Sequence, residues 1–151
     1  MRRFLLAAFI AALPLCVSAE GTSTIEYIQN LAKKQNAAVS DAVILFAAQS
    51  GSGLRSFDAA EKFLVSKGIL QRREYSPNSA LKRGLLAGMT ARALGLRGSF
   101  MFNLTGADRY ACTACAAEGI MREDISEFDP ISGPELIEIL GAVSARGVPN
   151  E

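Results

Sequence analysis

The chain is 151 residues long, half of its residues are hydrophobic, and it carries neither histidine nor tryptophan. That length and apolar content suit one folded domain with its own core, leave too little chain for two, and exclude a disordered tail. A formal charge of +1, from 16 basic and 15 acidic residues, excludes the strongly basic balance of a nucleic-acid binder, and without histidine the commonest general base is missing.

Met1-Arg2-Arg3, the apolar run Phe4 to Leu15 and the small residues Val17-Ser18-Ala19 form the three-part pattern of a secretory signal peptide, so residues 1–19 are set apart from the fold. The run is shorter than the roughly 20 residues that cross a bilayer, and no later stretch supplies a span. An uncleaved membrane anchor is one alternative for this segment. Leu13-Pro14-Leu15-Cys16 opens another, a lipid anchor on Cys16, although a lipobox favours a small residue where Leu15 stands. Removing the signal takes Arg2 and Arg3 away and leaves 14 basic residues against 15 acidic.

Ser23-Thr24-Ile25-Glu26 reads as a capping box, with Ile25, Ile28 and Leu31 on one face of a helix over about 24–35. Ser40-Asp41 is the expected cap of a second helix carrying Val43, Leu45, Phe46 and Ala47, which ends in Ser50-Gly51-Ser52-Gly53. A third starts at Ser56 or Asp58, aligns Ala60, Phe63, Leu64 and Lys67, and stops at Gly68, where a left-handed cap suits glycine. The polar loop 71–78 leads into a longer helix with Leu81, Leu85, Met89, Ala93 and Leu96 as its stripe, closed by Gly95 and Gly98.

Ser99-Phe100-Met101-Phe102-Asn103-Leu104 has aromatic, period-2 character and is expected to be an extended connector packed on the bundle. Asp108 caps a fifth helix containing Tyr110, Ala111, Cys115 and Ala116, which Gly119 ends. After an acidic loop, Ser132-Gly133-Pro134-Glu135 forms a further capping box with proline in the first turn, and Leu136, Ile139, Leu140 and Val143 give the sixth helix its apolar face. The expected fold is therefore all-α: a single domain over 20–151, built as three helical hairpins over about 24–50, 56–96 and 108–145.

The hairpins read as copies. Lys67-Gly68-Ile69-Leu70 returns as Glu118-Gly119-Ile120-Met121, an offset of 51 that also pairs Ala60 with Ala111 and Leu85 with Leu136. The first copy aligns less well, with Asn36, Ala38 and Val43 matching Asn78, Ala80 and Leu85 at an offset of 42. A two-helix unit cannot hide its own apolar stripe, so neighbouring copies must share a core. Charge is uneven along them: residues 55–109 are rich in Arg and Lys, and the chain from Tyr110 onward is rich in Glu and Asp. This asymmetry fits either an anionic partner for the middle segment or attraction between adjacent units.

In order, Phe63-Leu64-Val65-Ser66-Lys67-Gly68-Ile69, Pro77-Asn78 and Lys82-Arg83-Gly84-Leu85 resemble the S-layer homology (SLH) module of bacterial envelope proteins, and Glu118-Gly119-Ile120, Pro130 and Gly133-Pro134-Glu135-Leu136 repeat the likeness. The opening tryptophan of that module is absent, Arg83 stands without the motif glutamate, and Glu135 stands without the motif arginine. The resemblance implies three modules about a pseudo-threefold axis, with grooves that hold an anionic cell-wall polymer and the motif arginine among the contacts. Only Arg83 inherits that role by position. Arg72 and Arg73 lie in the loop facing the same helix start, so Arg72, Arg73 and Arg83 are the expected anion-facing patch, guanidinium groups being suited to bidentate capture of carboxylate or phosphate. For Arg83 the alternative is a solvated charge or an internal pair with the acidic third unit; for Glu135 it is the capping box.

Cys112-Thr113-Ala114-Cys115 has the spacing of a redox pair, yet no strand-helix-strand pattern surrounds it and Cys112 falls about a turn inside its helix. Without a following histidine or further ligands it is neither a haem attachment nor a zinc site, so a structural disulfide or two buried thiols are expected, with no metal and no cofactor. The function expected from the residues is that of an exported, non-enzymatic protein of the periplasm or cell envelope that binds a wall polymer or a protein neighbour. A periplasmic scaffold without polymer affinity and a thiol-disulfide protein using Cys112 and Cys115 are the alternatives.

Overall fold

The computed structural model describes residues 20–53, 56–97, 99–123 and 126–147. The segment 1–19 expected to be a signal peptide, with Cys16, and Gly98 lie outside them. The described residues form seven α-helices and no strand: α1 Glu20–Ala32, α2 Val39–Gln49, α3 Phe57–Ser66, α4 Arg83–Ala93, α5 Phe100–Thr105, α6 Asp108–Ala117 and α7 Gly133–Arg146. No helix among these residues is long and apolar enough to cross a membrane.

Three extended segments meet at the centre and tie the backbone into a closed cycle. Leu81 N–H donates to Ala37 O (2.8 Å), Ile131 N–H to Leu81 O (2.9 Å) and Ala37 N–H to Ile131 O (2.7 Å). All three residues are buried, so none of these polar groups could have turned to water instead. Two residues beyond each member of the cycle a helix begins, and its first amide is again satisfied by a neighbouring segment: Val39 N–H by Ser79 O, Arg83 N–H by Asp129 O and Gly133 N–H by Lys34 O, each at 2.9 Å. In this way the orphan donors of three helix starts are used to join distant parts of the chain.

From this centre α2 packs on α3, α4 on α6, and α7 on α1, with α4 against α6 the most extensive contact. The pairing differs from the expected hairpins. Helices consecutive in the proposed copies are linked through the central segments, whereas the second helix of one expected hairpin lies against the first helix of the next and α7 closes on α1. One apolar core results, with Leu31, Phe46, Leu64, Leu81, Leu86, Met89, Ile131, Leu136 and Val143 fully buried within it. Helix α4 is buried on nearly every side, which accounts for its composition of small and apolar residues.

Several element limits depart from expectation for identifiable reasons. Helix α1 already includes Glu20, so the Ser23-Thr24-Ile25-Glu26 box lies inside a helix and does not cap it. The cap of α2 is Ala38, not Ser40 or Asp41; Asp41 supplies the reciprocal half, its carboxylate accepting from Ala38 N–H (2.9 Å), and it also accepts from Tyr27 Oη (2.8 Å) and Lys34 Nζ (2.8 Å). Burial raises the Asp41 pKa, but the bonds from Lys34, Ala38 and Tyr27 outweigh it and hold the carboxyl below its usual range. Leu81 precedes α4 and Leu96 follows it, so the expected stripe overran the helix at both ends.

The seventh helix stands where an extended connector was expected. Ser99 Oγ accepts from Phe102 N–H (3.3 Å), Gly106 closes α5 at φ 63° with its N–H on Phe102 O (2.7 Å), and Phe102 is buried. The apolar alternation of Phe100, Phe102 and Leu104 mimics a strand, but cap and glycine impose the helix locally.

Candidate functional site

A cleft of about 430 Å³ opens where the loop before α4, the start of α6 and the loop before α7 come together. Its walls include Arg73, Tyr75, Lys82, Asp108, Arg109 and Phe128, with Ser76 and Ser79 adding hydroxyls and Glu74 and Glu127 carboxylates, so that basic and acidic side chains line it in equal number. Glycine shapes the floor. Gly84 N–H donates to Glu127 O (2.8 Å), and a Cβ at Gly84 would stand 3.2 Å from that oxygen, so the α7-side loop sits directly on the start of α4. A Cβ at Gly88 would overlap Asp108 Oδ1, which is how α6 comes close enough for Asp108 to reach the arginines.

Asp108 is the electrostatic hub. Its two oxygens hold Arg92 Nη2 at 2.6 Å and Arg73 Nη2 at 2.9 Å. Arg92 reaches further, to Ile69 O and Gly106 O at 3.2 Å each, and so ties α4 to the segment after α3 and to the end of α5. Cations are laid over aromatic faces around the cleft: Arg73 over Tyr75 (5.0 Å), Lys82 over Phe128 (5.8 Å) and Arg109 over Tyr110 (4.4 Å). Tyr75 donates to Gln71 O (2.9 Å), and burial raises its pKa, so its ring is held with the hydroxyl protonated. Basic groups standing against aromatic rings beside serine hydroxyls can grip an acidic, hydroxyl-rich ligand by charge and by apolar contact together.

Of the expected patch, Arg73 lines this cleft, Arg72 is exposed on the same loop outside it, and Arg83 is withdrawn from the surface. Arg83 is 3% exposed, its Nη1 is ion-paired with Glu135 Oε1 at 2.6 Å, and neither Nε nor Nη1 has a hydrogen-bond partner. The three arginines therefore do not form one anion-facing surface. The reason is the extended backbone entering α4, on which side chains alternate: Leu81 and Arg83 point inward, Ala80 and Lys82 outward. Lys82, Arg109, Tyr75 and Phe128 are cleft residues that the sequence reading passed over, and the alternation across residues 80–83 was the signal available for Lys82. Glu135 keeps half of its expected capping box, Ser132 Oγ accepting from Glu135 N–H at 3.3 Å, while its carboxylate goes to Arg83.

Of the two expected arrangements, a disulfide or a pair of thiols, the structure has Cys112 and Cys115 as free thiols. Cys115 is buried and its Sγ donates to Ala87 O at 3.5 Å; Cys112 is half-buried beside Thr113, Arg122 and Glu123. Burial above all, and then the neighbouring Glu127 for Cys112, push the thiols up to about 11 and about 12 respectively. Both are protonated at neutral pH, the opposite of an activated cysteine. Alkylation of Cys112 by iodoacetamide is expected to be slow at pH 7 and to accelerate about tenfold per pH unit until near pH 11, with Cys115 modified only after unfolding; a plateau below pH 9, read by mass spectrometry, would contradict this burial. Among the described residues no group of three or more Cys, Asp or Glu gathers to hold a metal ion.

Comparison with protein-family models, with curated proteins and with solved structures gives no match.

Proposed function

We propose that this chain is an exported, non-enzymatic binding module of the bacterial envelope, built from three SLH-like two-helix units, and that the cleft between the second and third units holds an anionic cell-wall polymer. The observation that carries the reading is the convergence of Arg73, Lys82 and Arg109 with Tyr75 and Phe128 on one open cleft.

The central cycle supports the threefold repeat, because Ala37, Leu81 and Ile131 make the same two bonds and each precedes a helix by two residues. The units after α3 and α6 also end alike. Gly68 and Gly119 take φ of 70° and 67°; Ile69 and Leu70 donate to Leu64 O as Ile120 and Met121 donate to Cys115 O. The register is finer than a single offset: α3 and α6 start 51 apart, whereas α4 and α7 start 50 apart and α2 and α4 start 44 apart. Leu86 and Leu136, both buried, thus correspond, in place of Leu85 and Leu136. Motif Arg83 and motif Glu135, each lacking its partner within its own unit, are joined across units. Internal use of Arg83 passes the anion-binding role to Arg73, Lys82 and Arg109.

The test is affinity for purified acidic wall polymer by titration calorimetry. Replacing Arg73, Lys82 and Arg109 with alanine is expected to weaken binding at least about tenfold, and raised salt should weaken the parent. Unchanged affinity in a triple variant that melts cooperatively, or no binding by the parent, sinks the proposal in favour of a scaffold without polymer affinity.

A further inference from the structure

Helix α5 carries a surface that neither the core nor the cleft uses. Of the five large hydrophobic side chains exposed among the described residues, three lie on it: Phe100 at 77%, Leu104 at 68% and Met101 at 40%. They fall at positions i, i+1 and i+4, a single outward face, while Phe102 points inward beneath the Arg92 guanidinium. The helix is fixed from below by the Ser99 cap and by Gly106, whose carbonyl accepts from Gln71 Nε2 (2.9 Å) and Arg92 Nη2 (3.2 Å). A rigid element thus holds an apolar face toward solvent, where a packed core would have gained free energy by taking it in.

The exposed charges that border this helix along the chain are basic. Arg97 precedes α5, Arg109 follows it, and Arg72 is adjacent to the Gln71 that bonds its C-cap; all three are exposed. Residues 97–107 contain no acidic side chain, and the nearest carboxylate along the chain, Asp108, is already held by Arg73 and Arg92. We infer that α5 is an interfacial anchor that seats the module on an anionic lipid bilayer, Phe100, Met101 and Leu104 entering the headgroup boundary while Arg72 and Arg97 meet the lipid phosphates. An apolar face flanked by arginines matches the two attractions such a surface offers, hydrophobic burial and negative surface potential. With only one and a half turns inserted, the attachment is weak, reversible and salt-sensitive.

The absence of tryptophan from the chain makes Phe100→Trp a reporter of this one position. With the full-length variant and vesicles of phosphatidylglycerol and phosphatidylcholine, the emission is expected to shift to the blue and to be quenched by brominated acyl chains, with both effects reduced by salt and absent with pure phosphatidylcholine. Adding Met101→Ser and Leu104→Ser should reduce partitioning about tenfold or more. Because the signal arises at residue 100, it is independent of how any other part of the chain reaches the vesicle. Emission that stays fully solvated with anionic vesicles overturns the inference. So does an equal shift with neutral ones, or a shift that appears with protein concentration alone, which would assign the face to a second copy. None of these outcomes alters the polymer cleft.

Discussion

Gly133→Ala is expected to be among the most damaging single substitutions in the chain. Gly133 opens α7 directly against the end of α1, and a Cβ there would overlap the Leu31 carbonyl oxygen, with Lys34 O only 3.3 Å away. Neither obstacle is a flexible side-chain end. Relief requires α7 to move off α1, which breaks the Gly133 N–H bond to Lys34 O and strains the Ala37–Ile131 link beside it. A cost of about 3 kcal/mol or more, read as a fall in Tm of roughly 10 °C, follows from overpacking of fixed backbone. Gly141→Ala is the matched control: it lies on the exposed side of the same helix with nothing within 4 Å of its added Cβ, and it should gain about 0.5–1 kcal/mol from helix propensity. Equal melting of the two variants would show that α7 does not approach α1 this closely.

Glu135→Ala is the second large effect. Arg83 is nearly completely enclosed, Glu135 is only partly so, and the pair lies at 2.6 Å. Removing the carboxylate leaves a guanidinium with Nε already lacking a hydrogen-bond partner and no counter-charge at Nη1, a loss of about 3 kcal/mol. Replacing both residues, as Arg83→Met with Glu135→Leu, is expected to recover most of that loss, since the cost belongs to the stranded charge and not to the absence of the pair. A denaturant series in which the double variant is no more stable than Glu135→Ala would assign the carboxylate's role to the cap of α7 instead.

What could be read from sequence follows a physical line. Helices α3, α6 and α7 were legible because their signals are local: apolar residues at helical spacing, Gly68 and Gly119 at the ends, Ser132 and Pro134 at a start. Helix α5 was not, since three alternating apolar residues carry the same pattern in a short strand and in a helix whose outer face is bare. The Ala37, Leu81 and Ile131 cycle uses only backbone amides and carbonyls, which leave no mark on residue type. The packing of α2 on α3 and of α4 on α6 was hidden for a related reason, because an amphipathic stripe says that a helix needs a neighbour and not which one. At the site, the cationic middle of the chain was visible, but its division was not: Arg83 and Lys82 are equivalent by composition and are separated by the pleat of four residues. Pairing of Arg83 with Glu135, 52 positions away, is a property of the fold alone.

The meeting of α7 with α1 at Gly133 and Leu31 has a bearing on how the molecule comes into being. An open array of repeats can grow from one end, each new unit finding its predecessor already in place. Here α1 has its main docking surface on α7, so among the described helices the arch lacks its keystone until α7 has been made. Closure of these helices is therefore a single event that waits for α7, and until then α1 keeps its oily stripe unsatisfied.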